Sequence, residues 1–202
     1  MSTNPPSLKL SEPLPREAPQ RQPSIARITT AEYEALIEAG VLGEDRRVEL
    51  LSGIIVDQMP KGTRHDYALN ELMLLVVERL AGRNDMRTES PIELGEAGMP
   101  EPDLWIAAAP RGTYKARKPT GSELLLVVEV ADSSLEIDRE VKLPLYAAAG
   151  IPEYWIVNLR DASLERYTEP RPDGAYAAKA TMGAGQSLAH ELLGEVAVGD
   201  LV

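Results

Sequence analysis

Residues 124–158 read LLLVVEVADSSLEIDREVKLPLYAAAGIPEYWIVN. The first eight are five aliphatic residues, a glutamate, then Val130 and Ala131, the composition of a buried strand. Ser133 and Ser134 offer helix caps and Gly150 a stop, so 133–150 reads as a helix. Its apolar stripe, Ile137, Val141, Leu145 and Ala148, predicts a face packed on a sheet, and Pro144 predicts a bend at a lost backbone hydrogen bond. EYWIVN (153–158) then returns as a second strand. Within this frame Glu129 stands out. An ionised carboxylate in the most strand-like run of the chain loses its water, at large cost unless a partner or a metal replaces it. Glu129 is either paired for structure or held ready for chemistry.

Working outward, SLERYT (163–168) and AYAAKA (175–180) continue as strands, completing a C-terminal meander. Upstream, strand-like pieces lie near 86–94 and 103–108. A helix follows Asp66, with Leu69, Leu72, Met73, Val76, Val77 and Leu80 at the three-four spacing of one buried face. RRVELLSGIIVDQM (46–59) is a hairpin candidate turning at Ser52-Gly53. TAEYEALIEAG (30–40) opens on a capping threonine, Thr30, and closes on Gly40, a further helix. Strands mixed with helices and ending in a meander point to an α/β fold with a sheet of mixed strand directions.

Bulk composition narrows the function. The 202 residues suit one domain of ordinary size, read as 28–202, preceded by a flexible tail at 1–27 that carries six prolines and little periodic hydrophobicity. Phe is absent, so aliphatic residues, seven Tyr and two Trp must fill the core. Zero cysteines exclude disulfides, thiolate nucleophiles and Cys-based zinc sites. The longest aliphatic run of helix, LMLLVV (72–77), is far short of a membrane span, and the N-terminus lacks the marks of a signal peptide. A soluble, cytoplasmic protein with no membrane partner is expected. Twenty-one basic against 32 acidic residues leave a net charge of −11, which argues against holding nucleic acid by a broad positive field. Local contact through a metal is still open.

A second acid, Asp103, sits in EPDLWIAAA at the mouth of a strand. Two carboxylates on neighbouring strands, converging at a sheet edge, would make an oxygen-rich site suited to a hard divalent cation, Mg²⁺ or Mn²⁺. Such a cation could bind a phosphodiester oxygen and lower the pKa of an attacking water. Lys142, on the following helix, could reach over the strand edge towards Glu129. Each residue also has a plain reading. Asp103 could cap a strand, and Glu129 could pair with a core Arg or Lys. Asp138 and Lys142, four apart with the acid first, could form a surface ion pair. The loop PRGTYKARKPTG (110–121) carries Arg111, Lys115, Arg117 and Lys118 without an acid. It is either a solvated loop or a set of phosphate contacts near Asp103.

The order P-D, E-V, S-S, D-R, K, Y, A-G-I-P-E-Y-W-I-V strongly resembles the Uma2 family (DUF820) of restriction-endonuclease-like proteins in the PD-(D/E)XK nuclease superfamily. The E-L-L-S-G hairpin with Glu49 and Gly53, and His65 before a helix, match as well. The resemblance covers roughly residues 28–180. It implies a restriction-endonuclease-like core: a central mixed β-sheet flanked by helices, with an N-terminal helix and hairpin and a C-terminal β-meander. It further implies a Mg²⁺- or Mn²⁺-dependent endonuclease acting on DNA, with Asp103 and Glu129 as metal ligands. The third signature position is Ala131 rather than lysine. The family supplies that lysine from the next helix, which makes Lys142 the catalytic cation and Asp138, Glu49 and His65 supporting residues. A homodimer would suit cutting of two strands. The alternative is an inactive nuclease-fold binding or accessory protein.

Overall fold

The computed structural model describes residues 24–43 and 46–202, so most of the stretch read as a tail lies outside the described residues. Helix α1 (Thr30–Glu38) is capped by Thr29, one residue before the expected Thr30. The reason is reciprocal bonding. The Thr29 hydroxyl accepts from the Glu32 N–H, and the Glu32 carboxylate accepts from the Thr29 N–H. Strands β1 (Val48–Leu51) and β2 (Ile54–Asp57) form the predicted hairpin. Its two-residue turn needs positive φ at both positions, and Ser52 and Gly53 supply 50° and 77°.

Helix α2 (Thr63–Leu80) follows, then β3 (Asp85–Thr88), β4 (Leu104–Ala107) and β5 (Leu124–Ala131). The predicted inner face of α2 holds at Leu69, Leu72, Val76 and Leu80, which are buried, whereas Val77 is exposed. His65 lies in the first turn of α2 rather than ahead of it. After β5 come helix α3 (Leu135–Ile137), a π turn at Asp138–Lys142, and helix α4 (Leu143–Ala148), which run on from one another. Strands β6 (Glu153–Asn158), β7 (Ser163–Pro170) and β8 (Tyr176–Gly183) form the meander. The hairpin of β9 (Ser187–His190) and β10 (Gly194–Ala197) carries no strong alternation and escaped the sequence reading.

One sheet has the order β3-β4-β5-β6-β7-β8. Only β5 and β6 run parallel, because the α3–α4 segment crosses over between them; every other pair is antiparallel. Strand alternation divides the core between the two faces. Ile106, Val128 and Trp155 pack with Leu72 and Val76 of α2 on one side. Trp105, Val127 and Ile156 pack with Leu135 and Tyr146 on the other. Each such buried side chain contributes about 1.5–3 kcal/mol. Among the described residues no helix is long and apolar enough to cross a membrane.

The crossover helix does not bury the expected apolar stripe. Val141 and Ala148 are exposed and Ile137 and Leu145 only half-buried, while Leu135, Asp138, Lys142 and Tyr146 are buried. Polar groups take the inner face because the sheet opposite them carries charges of its own. The irregularity expected at Pro144 falls one turn earlier. In the π turn Leu143 N–H donates to the Asp138 carbonyl, five residues back, and Pro144 stands at the start of α4, where a missing N–H is tolerated.

Arg139 of the π turn is anchored from outside. Its guanidinium binds the buried carboxylate of Glu165 on β7, which also accepts from Lys179 Nζ at 2.8 Å. Burial would raise the Glu165 pKa, but hydrogen bonds from Arg139 and Lys179 outweigh it and hold the carboxyl at about 2, against an ordinary 4.5. A folded pKa below the unfolded one contributes stability above about pH 4.5, lost as the pH falls towards 2. Glu165→Gln is therefore expected to cost about 2 kcal/mol at pH 7. Urea denaturation should show the gap between variant and wild type closing as the pH is lowered to 3; a gap that stays constant would refute the linkage.

Candidate metal and active site

The register of β4 and β5 pairs Leu104 with Val128 and Trp105 with Val127. Carried one residue further, it sets Asp103 beside Glu129. Directly opposed residues of antiparallel strands share a face, with Cβ atoms about 4.5–5.5 Å apart. The two acids thus converge because of the sheet register, on the face covered by the crossover helix. The Val130 N–H continues the contact by donating to Asp103 Oδ2 at 2.8 Å.

The crossover helix supplies the cation. Lys142 Nζ is 3.1 Å from Glu129 Oε1 and 3.2 Å from Glu49 Oε2, all three buried. The surface pair with Asp138 therefore does not describe Lys142, which points into the sheet. Burial would lower the Lys142 pKa, but the charges of Glu129, Glu49 and Asp138 outweigh it and raise it, so the ammonium stays protonated. Tyr146, one turn on, donates from its hydroxyl to Glu129 Oε1 at 2.6 Å. Burial raises the Glu129 pKa, and the neighbouring Lys142 ammonium opposes that rise.

Asp138 occupies the same cavity. Its Oδ2 accepts from the Ser134 hydroxyl at 2.7 Å, while Oδ1 is buried and has no hydrogen-bond partner among the described residues. Burial raises its pKa to about 6. Glu49, on β1, also accepts from the Glu101 N–H at 3.1 Å, which ties the hairpin to the strand-start segment that carries Asp103. His65 Nε2 lies 3.1 Å from Asp103 Oδ2. Burial would lower the His65 pKa, but the Asp103 carboxylate outweighs it and raises it.

Lys61 was not picked out by sequence. It precedes α2, with no periodicity or motif to mark it. Its ammonium is 2.7 Å from Asp103 Oδ1 and 2.7 Å from Glu89 Oε1. Burial would raise the Asp103 pKa, but His65 and Lys61 together hold it well below the usual carboxylate range. The resulting cavity, of about 50 Å³, is lined by Glu49, Asp103, Glu129 and Asp138 with Lys61 and Lys142. That is room for a few waters, or for an ion with part of its water shell.

The basic loop is placed elsewhere. It joins the end of β4 to the start of β5, the strand ends opposite Asp103 and Glu129. Arg117 pairs with Glu123 at 2.6 Å and Lys118 with Glu34 at 2.7 Å. Arg111 borders a separate cleft beside Val77 and Met86, and neither it nor Lys115 lines the acidic cavity. None of the four lines the cavity that holds Asp103, a placement that suits the solvated-loop reading.

A six-stranded mixed sheet, flanked by helices and with Asp103, just before β4, beside Glu129 of the neighbouring interior strand β5, defines a restriction-endonuclease-like fold. The chain belongs to the Uma2 family, described as a putative restriction endonuclease, whose model matches residues 30–198. The structure is similar to the crystal structure of a putative nuclease belonging to DUF820 from Anabaena variabilis ATCC 29413. The TM-score is 0.64 and the identity 13%, over 86% of this chain and 97% of that one, a likeness of fold. No curated protein matches the chain.

Proposed function

We propose that this chain is a Mg²⁺- or Mn²⁺-dependent endonuclease that hydrolyses phosphodiester bonds in DNA, with Asp103 and Glu129 as the metal-holding pair. The observation that carries the reading is the buried, unpartnered Oδ1 of Asp138 in the cavity where Asp103 and Glu129 stand side by side. A buried carboxylate oxygen left without a donor is costly, and a hard cation or its water is the partner an oxygen-rich cavity accepts. Among the described residues no three acidic or histidine side chains form a complete metal cage. Mg²⁺ is ordinarily held by one or two carboxylates, with water and phosphate oxygens filling the remaining positions. The donors present fit that pattern.

Bound there, a divalent cation would draw negative charge from the phosphate and acidify its water. The chain's own residues do the rest. Lys142 keeps its proton at Nζ and, held by Glu129 and Glu49, presents positive charge where the transition state becomes more negative. Tyr146 orients Glu129 through its hydroxyl, and His65 orients Asp103. The test is incubation of the full chain with supercoiled DNA and, in parallel, single-stranded RNA, with Mg²⁺ or Mn²⁺ and an EDTA control. Nicking or linearisation of the DNA is expected with metal only, and not in Glu129→Ala. An alternative, an inactive binding protein, is favoured by the neutralisation of Asp103 by Lys61 and His65. Absence of cleavage with either metal would support it.

A further inference from the structure

Asp103 meets Lys61, His65 and the Val130 N–H at once, and Lys61 alone engages Oδ1. Of these three, Lys61 alone lies outside the helices and strands. Val130 is fixed in β5 and His65 in α2, whereas Lys61 comes from the segment between β2 and α2. Its other partner, Glu89, has φ of 47°, a conformation that L side chains rarely adopt and that costs about 1–3 kcal/mol. Its backbone N–H donates to the Asp103 carbonyl at 3.0 Å. That strained residue brings a carboxylate to 2.7 Å from Lys61. Asp103 and Glu89 thus hold one ammonium between them at the cavity wall.

We propose that Lys61 is a built-in counter-ion that competes with the metal cation for Asp103 Oδ1 and withdraws to Glu89 when the cation binds. The inference rests on the metal-dependent reading above. An ammonium and a divalent cation on the same carboxylate oxygen repel, and each neutralises the charge that draws the other. With Lys61 in place the charge of Asp103 is neutralised without metal. When the cation arrives, Glu89 keeps the displaced ammonium from being left unpaired. Lys61 therefore sets the cation concentration at which the site fills, a role distinct from that of Lys142, which remains on Glu129 and Glu49.

The test needs no nucleic acid. Mn²⁺ is titrated calorimetrically into the wild-type chain, Lys61→Met, Lys61→Gln and Asp103→Asn, each first checked for a folded circular dichroism spectrum. Lys61→Met and Lys61→Gln are expected to bind Mn²⁺ about tenfold tighter or more, and to gain more in Tm from Mn²⁺ than wild type does. A structural role for Lys61 predicts the reverse, since a loosened site binds metal more weakly. Wild-type binding that Asp103→Asn removes, with equal or weaker binding in both Lys61 variants, would overturn the competition alone. Mn²⁺ binding in Asp103→Asn equal to that of wild type would overturn the metal assignment, and the competition with it.

Discussion

Lys142→Met is expected to abolish measurable cleavage, a loss of about 100-fold or more for one preorganised charged group. It is also expected to lower the stability of the metal-free protein markedly. Lys142 is buried between Glu129 and Glu49, and removing its charge leaves those carboxylates facing each other and Asp138 in a desolvated cavity. Breaking a buried pair from one side costs about 3–5 kcal/mol, which in a chain of this size is a fall in Tm of about 6–20 °C. A surface ion pair with Asp138 would have cost only about 0.2–0.5 kcal/mol. Methionine keeps an unbranched stem of similar length, so charge rather than volume is tested. Differential scanning calorimetry and the DNA-nicking assay read the two effects separately. A variant that melts with wild type places the ammonium outside the cavity; one that melts early yet cuts at the wild-type rate has lost a structural lysine and no catalytic one.

Asp103→Asn is expected to remove Mn²⁺ binding in a calorimetric titration and to slow cleavage by about 100-fold or more. Asparagine retains an oxygen to accept the Val130 N–H, so the strand register survives while the negative charge is lost. Lys61 and His65 then face each other without the acid that joined them, and Lys61 falls back on Glu89. The variant should fold and keep its sheet, as read by circular dichroism. Mn²⁺ binding equal to wild type would place the metal elsewhere.

The two acids could be recognised in the sequence for a physical reason. A carboxylate inside an aliphatic run, and another directly before LWIA, are local anomalies visible without knowing what faces them. Their adjacency was expected from two strands, and the β4–β5 register delivers it. Lys142 was picked out by its place on the helix after β5, and the resemblance gave it a catalytic role, whereas periodicity misled. The apolar spacing of Ile137, Val141, Leu145 and Ala148 describes the outer side of that helix. Burying Lys142 is favourable only when opposite charges meet it, and those charges, Glu49 and Glu129, come from β1 and β5. Hydrophobic periodicity contains no information about that.

What the sequence determined by itself is local or ordered along the chain. The apolar run at 124–131 specifies a buried strand, Ser52-Gly53 specifies a two-residue turn, and the succession 153–180 specifies a meander, because each rests on the conformational preferences of a few adjacent residues. The ordered motifs marked the family. Tertiary structure alone decided which face of the crossover helix turns inward, where the 110–121 loop lies, and that Lys61 reaches Asp103, 42 positions away. Those outcomes depend on electrostatic pairings between distant segments in a medium from which water is excluded. There a contact costs or stabilises by several kcal/mol according to what faces it, and the facing group is set only when the sheet closes.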